Sequence, residues 1–270
     1  MTIFSEGTAV SPLGEGRYRA RLTEAFGFET KPGGPVVLNG GYLMAVLMRA
    51  AVAESAHAHP ISTAVSFLRP GLPGPAEVVV ESRKEGRTAS MARASLMQNG
   101  EALLDALVTT GTLDPDAKPA YLGEPPAPMP APEDCPPRGR ERAKKGFPAH
   151  VDMRFDPAAM GWLDGSPTGR PEMRAHVRLE DGDEPDPYVL ALAIDALIPV
   201  VANAGFPGWS PTVELTWHLR ALPAPGWLTV HGTGRMVSEG WCDEDVEVWD
   251  AAGNLVAQSR QLARAARTRG

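Results

Sequence analysis

The chain has 270 residues, a length that fits one large domain or two ordinary ones. Hydrophobic residues make up 43%, enough for a sizeable core, while 28 glycines and 27 prolines imply frequent turns and exclude a purely helical bundle. The net charge of −7 argues against a general nucleic-acid-binding surface, and the two distant cysteines, Cys135 and Cys242, predict neither a disulfide framework nor a thiolate metal site.

The sequence shows no targeting or membrane segment. The N-terminal residues MTIFSEG lack a basic stretch followed by an apolar core, so we predict no secretory signal. The most apolar segment, residues 188–204, contains Asp195 and Pro199 and is too short to span a bilayer. We therefore expect a soluble cytoplasmic protein with no membrane partner and no nucleic-acid partner.

The first half of the chain contains one apolar helix and a series of short strands. Residues 40–56, GGYLMAVLMRAAVAESA, contain good helix formers and predict about four helical turns. This helix is apolar in nearly every direction, which indicates burial on all sides. Four segments separated by turn signals follow it and predict strands: STAVSFLRP, AEVVVES, ASMARASLMQ and ALLDALVTTG.

Residues 113–148 differ in composition from the rest of the chain. They contain ten prolines, and the charged stretch RGRERAKK occupies residues 138–145. Such a segment favours extended backbone and cannot bury a core. We predict a poorly packed linker that trypsin cuts first at residues 138–145; a ligand for an SH3-type domain is the alternative interpretation.

The second half repeats the order of the first. Residues 188–204 predict a second apolar helix of similar length, and four strand-like segments follow it: TVELTWHLR, WLTVHGTG, CDEDVEVWD and LVAQSRQLA. The turn signals recur in the same order, with Glu85-Gly86 in the first half matching Glu239-Gly240 in the second. This order indicates duplication of a unit of roughly 110 residues.

A buried helix followed by antiparallel strands in each repeat predicts an α+β fold. In the hotdog architecture a curved antiparallel sheet wraps around one long central helix, and two copies in one chain make a double hotdog. We predict an N-terminal hotdog unit over residues 1–112, a proline-rich linker over 113–148 and a C-terminal hotdog unit over 149–270, with one continuous sheet around both helices.

Several motifs resemble those of the type II acyl-CoA thioesterase family. They are the GG pair that opens the first helix, SFLRPG at residues 66–71, GRTASMARASLMQNGE at 86–101 and LVAQSRQ at 255–261. The resemblance covers both halves and is weak in the linker. It implies a double hotdog, hydrolysis of acyl-CoA to free acid and CoA in lipid metabolism, no cofactor and further pairing of chains into a homo-oligomer.

The resemblance also implies a site. The family uses an Asp, a Thr or Ser, and a Gln to hold one water, and these match Asp195, Thr212 and Gln261 here. Thr216 is a further candidate for the Thr. Where the family often has an Asp-His pair in this strand, this chain has an aliphatic residue and a glutamate. Activation of a water by Asp195 and a covalent anhydride on Asp195 both stay open.

The residues have structural interpretations as well. Asp195 lies among apolar neighbours, where a carboxylate needs partners, so its role is either in a site or in bonding to the backbone. Gln261 would face water and Thr212 would be an ordinary strand residue if neither belonged to a site.

Two glycines and three arginines are candidates for binding substrate. Backbone N–H groups of Gly40 and Gly41 at a helix N-terminus suit an oxyanion, although a turn also needs small residues. Arg69, Arg87 and Arg93 suit the phosphates of CoA, although each is equally typical of a solvated strand edge.

Other reactions lack their sequence signatures. The chain contains no HExxH, CxxC, G-x-S-x-G or Walker A sequence, so we predict no metal and activity that survives chelators. A hotdog hydratase needs a histidine where Val200 stands. A non-catalytic acyl-thioester-binding protein that keeps the hotdog pocket is the alternative function.

Overall fold

A computed structural model describes residues 2–29, 33–136 and 145–266. In the first half the elements are α1 (Ile3–Gly7), β1 (Val10–Gly14), β2 (Arg17–Leu22), β3 (Gly27–Glu29), β4 (Val36–Leu38), α2 (Gly40–Ala53), β5 (His59–Phe67), β6 (Gly74–Lys84), β7 (Ala89–Gln98) and β8 (Glu101–Gly111). In the second half they are α3 (Phe147–His150), β9 (Val151–Phe155), β10 (Glu172–Leu179), α4 (Pro187–Ile194), β11 (Thr212–Leu219), β12 (Leu228–Thr233), β13 (Val237–Ser238), β14 (Trp241–Trp249) and β15 (Leu255–Arg264).

One antiparallel sheet runs through both halves. Its strand order is β1-β2-β6-β7-β8-β5-β11-β15-β14-β12-β10-β9, and the short β13 pairs with β14. From the centre outward, the order β5-β8-β7-β6-β2-β1 in the first half matches β11-β15-β14-β12-β10-β9 in the second. The sheet therefore repeats as the turn signals predicted, and the two copies join where β5 pairs with β11.

Helix α2 lies inside the curve of the sheet. Asn39 caps it, because the side-chain oxygen of Asn39 accepts the Tyr42 backbone N–H at 2.9 Å. The side chains of residues 42–48 are all buried, on every side of the helix. The all-apolar sequence of this segment thus corresponds to a central helix, as predicted.

Helix α4 is shorter than predicted. It ends at Ile194, with Asp195 as its C-cap, and a 3₁₀ turn over Val200–Ala204 follows. Pro199 keeps the helix from continuing to residue 204, because it has no N–H for the carbonyl of residue 195 and its ring would collide with that carbonyl. The prediction of one helix over residues 188–204 was therefore wrong, and Asp195 lies at a helix end instead of in a helix interior.

Part of the proline-rich segment packs against the second half. The carbonyl oxygen of Ala127 accepts from the Arg174 guanidinium at 2.8 Å, and that of Pro130 lies 2.9 Å from Nε2 of His176. Cys135 is buried. Residues 127–135 are therefore anchored to β10 at these points, although most of them are exposed, and a poorly packed crossover stays a prediction. Of the predicted tryptic stretch, residues 138–144 lie outside the described residues.

The unit boundaries at residues 112 and 149 stay predictions. Among the described residues, no helix is long and apolar enough to cross a membrane.

Candidate functional site

Asp195 lies against the N-terminus of α2. Its Oδ2 accepts the backbone N–H of Gly41 at 3.0 Å and the side-chain N–H of Asn39 at 2.8 Å. The same Asn39 amide also donates to the backbone carbonyl of Asp195 at 2.8 Å. Asn39 thus caps α2 with its oxygen and bonds to the end of α4 with its nitrogen, a second role that no local sequence pattern predicts.

The two glycines at the start of α2 allow this close approach. A Cβ on Gly41 would lie 2.2 Å from the Ala191 carbonyl oxygen, and one on Gly40 would lie 2.7 Å from the Phe67 ring. Real Cβ atoms do not tolerate such distances, so helices α2 and α4 can cross here only because residue 41 has no side chain. The crossing places the Asp195 carboxylate on the helix N-terminus.

Burial and hydrogen bonding shift the pKa of Asp195 in opposite directions. Burial raises the pKa of Asp195 to about 6, although bonds from Gly41, Gly40 and Asn39 favour the charged form. The carboxylate is consequently ionised at neutral pH and titrates close to it. A carboxylate with this pKa, in a half-buried position, suits a general base.

The predicted oxyanion donors therefore have a partner within the protein. The Gly41 N–H that was expected to face a substrate carbonyl donates to Asp195 in the described structure. The oxyanion role of Gly40 and Gly41 stays a prediction, and a substrate oxygen would share these donors with the carboxylate.

Thr212 and Gln261 are bonded to each other. The Thr212 hydroxyl donates to Oε1 of Gln261 at 2.7 Å. In a regular strand, residues three apart face opposite sides, but the β11–β15 register shifts between Thr212 and Glu214. This bulge puts Thr212 on the inner face with Leu215, whose partner across the strands is Gln261.

Thr216, the alternative to Thr212, lies on the opposite face of the sheet. It lines an open groove of about 520 Å³ together with His218, His231 and Arg260. This groove is on the outer face, away from the helices and from Asp195. Of the two threonines, the structure thus brings only Thr212 to Gln261.

A buried carboxyl group, Glu244, accepts a hydrogen bond from the Gln261 side chain and lies close enough to Asp195 for their charges to interact. It is directly opposite Gln261 in the β14–β15 pairing and is only 6% exposed. Burial raises the pKa of Glu244 to about 7, and the negative charge of Asp195 adds to this rise. Glu244 was not predicted as a site residue. The alternation in CDEDVEVWD was a signal, because it puts Glu244 on the same face as Val246 and Val248.

The predicted arginines do not contact Asp195, Gln261 or Glu244 in the structure. Arg69 follows Phe67, whose ring lies beside Gly40, but its guanidinium pairs with Glu101 at 3.1 Å. Arg87 is exposed. The residue before it, Gly86, contacts His57, which follows the C-terminal end of α2. Helix α2 is about 20 Å long, so Arg87 lies far from the N-terminus of α2, where Asp195 binds. Arg93 forms two hydrogen bonds with Asp105. Their contacts with CoA stay predictions.

The opposite end of the helix pair carries different chemistry. There the N-cap of α4 is Asp186, and it pairs with Arg49 of α2 at 3.3 Å. The Arg49 guanidinium also lies 4.0 Å from the centre of the Tyr188 ring. At the first end the carboxylate on the N-terminus of α2 comes from the other helix, whereas at this end the carboxylate that caps α4 pairs with an arginine of α2. Among the described residues, no three His, Cys, Asp or Glu side chains are grouped to hold a metal ion.

Family comparisons match both halves of the chain. A family described as the acyl-CoA thioesterase N-terminal domain matches residues 29–113, and one described as the acyl-CoA thioesterase C-terminal domain matches residues 132–265. An uncharacterised protein of Mycobacterium tuberculosis H37Rv is 31% identical, with 97% of each chain covered.

Solved structures share the whole architecture. A candidate thioesterase II from Thermobifida fusca has a TM-score of 0.90 and 42% identity, covering 99% of this chain and 98% of that one. A hot dog protein of unknown function from Alicyclobacillus acidocaldarius has a TM-score of 0.82 at 20% identity, with 99% of both chains covered. At that identity the second likeness concerns the fold alone, and it is the double hotdog predicted from the sequence.

Proposed function

Because the chain belongs to the acyl-CoA thioesterase family and is a thioester hydrolase, we propose that it cleaves acyl-CoA with a water held by Asp195, Thr212 and Gln261. The observation that carries this proposal is the contact of Asp195 with the N-terminus of α2. That contact keeps a carboxylate charged in a half-buried place, ready to accept a proton.

The reaction needs few groups. Asp195 accepts a proton from the water as its oxygen attacks the thioester carbonyl, and the tetrahedral intermediate then expels CoA as a thiolate. A thiolate leaves without strong acid assistance, so the proton can pass from Asp195 to the thiolate or to solvent. The products are one free acid and one CoA thiol.

The remaining residues have positioning and binding roles in this proposal. Thr212 and Gln261 fix the water relative to Asp195. The N–H groups of Gly40 and Gly41 stabilise negative charge on the carbonyl oxygen as it develops. Arg69 and Arg87 contact the phosphates of CoA. A cytoplasmic location, a role in lipid metabolism and a homo-oligomeric assembly also belong to the proposal.

The experiment is hydrolysis of a panel of acyl-CoAs, followed with a thiol reagent, for the wild type and Asp195→Asn. Asparagine keeps the shape but loses the basicity, so kcat should fall by roughly 100- to 10,000-fold, as expected for loss of a general base. The variant should still fold and bind acyl-CoA.

Asp186→Asn is the matched control. It removes a carboxylate from the other end of the same helix and keeps an N-cap, so kcat should change by less than about threefold. Unchanged hydrolysis in folded Asp195→Asn would contradict the role of Asp195. A wild type that binds acyl-CoA and hydrolyses none would instead support the non-catalytic alternative.

A further inference from the structure

Glu244 is a carboxyl group on an apolar face. Along β14 the inward side chains are Cys242, Glu244, Val246 and Val248, and all four are buried. A carboxyl group in such a place costs free energy unless hydrogen bonds satisfy it. Its partners therefore indicate why it is there.

Both partners of Glu244 are N–H donors. Its Oε2 accepts the backbone N–H of Val200 at 3.0 Å, from the first residue of the 3₁₀ turn that follows Pro199. The side-chain amide of Gln261, on the neighbouring strand, donates to it as well. The ionised carboxylate has only acceptors, so it can face only the nitrogen of the Gln261 amide.

The contact between Glu244 and Gln261 determines which group donates and which accepts in the hydrogen bond between Gln261 and Thr212. With Nε2 of Gln261 on Glu244, Oε1 of Gln261 points to Thr212 and accepts its hydroxyl hydrogen at 2.7 Å. The Thr212 oxygen then has only lone pairs left, so it can accept from a water but cannot donate to one. A water held there keeps its own lone pair for attack on a carbonyl carbon.

We propose that Glu244 is a positioning residue of the thioesterase site: it fixes the amide of Gln261 so that Thr212 can only accept a hydrogen bond from the attacking water. This inference rests on the proposed function. Glu244 acts through Gln261 and need not touch the substrate.

The electrostatic surroundings of Glu244 make this role depend on pH. The acidic groups that influence it are Asp195 and Asp243, and both favour its protonated form. With the pKa of Glu244 at about 7, the carboxylate predominates above neutral pH. Assays at pH 8.5 therefore examine the state in which Glu244 accepts both hydrogen bonds.

Glu244→Gln tests the direction of the bonds without changing the shape of the side chain. The new amide must accept the Val200 N–H with its oxygen, so its nitrogen faces Gln261. Two amide nitrogens cannot bond, and Gln261 turns over to present its nitrogen to Thr212. At pH 8.5 we expect kcat to fall by roughly 10- to 100-fold with KM within about threefold, because only a transition-state interaction is lost.

A double-mutant cycle separates positioning from support of the fold. If Glu244 acts through Gln261, then Glu244→Gln should change kcat by less than about twofold in a Gln261→Ala background. An equal loss in both backgrounds would overturn the proposal, and so would an unchanged kcat in folded Glu244→Gln.

A measurement on the wild type tests the inference even if Glu244→Gln does not fold or the protein does not hydrolyse the substrates. The side-chain Nε2 signal of Gln261, assigned by its loss in Gln261→Ala, should shift in ¹⁵N NMR with a titration near pH 7, the pKa of its acceptor. A signal that shows no titration at any pH at which the protein stays folded would overturn the inference. Because this readout needs no turnover, a failure of the proposed function would be seen separately.

Discussion

At the scale of single residues, the protein keeps a carboxylate charged where burial opposes its charge. Burial favours the protonated form of Asp195, whereas the Gly41 N–H and the Asn39 amide favour the anion. The balance is a pKa of about 6, raised from 3.8. This value is low enough for ionisation at pH 7 and high enough for appreciable basicity.

The pH dependence of both activity and stability follows from this raised pKa. Hydrolysis needs the anion, so kcat/KM should fall about tenfold per pH unit below pH 6. The folded protein also holds the Asp195 proton more tightly than the unfolded chain, so this residue opposes folding increasingly as pH rises from about 4 to 6. Asp195→Asn should therefore be more stable than the wild type by about 1–3 kcal/mol at pH 7.5.

Urea unfolding at pH 4.5 and pH 7.5 measures this difference. The advantage of Asp195→Asn should shrink at pH 4.5, where the wild-type carboxyl group is protonated. A stability difference that does not vary with pH would mean that Asp195 does not titrate in this range.

The residues of the site differed in how far the sequence could predict them. Asp195 stood out as a charge in an apolar segment, and the resemblance supplied Thr212 and Gln261. Glu244 did not stand out, because CDEDVEVWD has five acidic residues. Alternation groups Glu244 with Val246 and Val248, but only the strand register places it opposite Gln261. The second role of Asn39 depends on the crossing of α2 and α4, which no local pattern reports.

At the scale of elements, the centre of the sheet contains an unusual row of polar atoms. Thr63 on β5, Trp217 on β11 and Ser259 on β15 are consecutive cross-strand partners. All three side chains are buried, and their polar atoms have no hydrogen-bond partner within the part of the chain that the structure describes. Each such group costs stability.

Thr63→Val removes one of these hydroxyl groups and keeps the shape of the side chain. We expect the free energy of unfolding to increase by about 1 kcal/mol, since an unsatisfied buried hydroxyl is lost. Thr110→Val is the control, because Thr110 is equally buried but lies 2.6 Å from the Ser55 hydroxyl. It should destabilise by about 1–2 kcal/mol. Urea unfolding compares them, and similar losses would show that Thr63 has a bonded water.

Sequence patterns predicted the elements better than their ends. The strand segments and α2 followed from alternation and from an all-apolar run. The end of α4 was misplaced although Pro199 was visible, because apolar composition continues beyond it into the 3₁₀ turn. The bulge in β11 that turns Thr212 inward has no glycine or other local signal, and it depends on pairing with β15.

At the scale of the whole molecule, both halves contribute to the proposed site. The first half supplies Asn39 and the N-terminus of α2, and the second supplies Asp195, Thr212, Glu244 and Gln261. The duplication itself could be predicted, because turn signals and strand order survive in the sequence. The end of the α2–α4 pair at which the proposed site lies could not be predicted, because it depends on contacts between the two helices and not on either helix alone.

We expect one substrate site per chain. At the other end of the α2–α4 pair, where α4 begins, Asp186 pairs with Arg49. This ion pair corresponds in position to the contact of Asp195 with Asn39 at the start of α2. Calorimetric titration with a non-hydrolysable acyl-CoA thioether should give a stoichiometry of one per chain. Two equivalents would show that the second crossing also binds substrate.

The joining of two copies in one chain has an evolutionary consequence. In a dimer of identical hotdog units, every substitution changes both copies at once, so Asn39 and its counterpart could not differ. Once β5 and β11 belong to one chain, each crossing can accumulate its own substitutions. The caps of the two central helices already differ in this way, with Asn39 at the start of α2 and Asp186 at the start of α4.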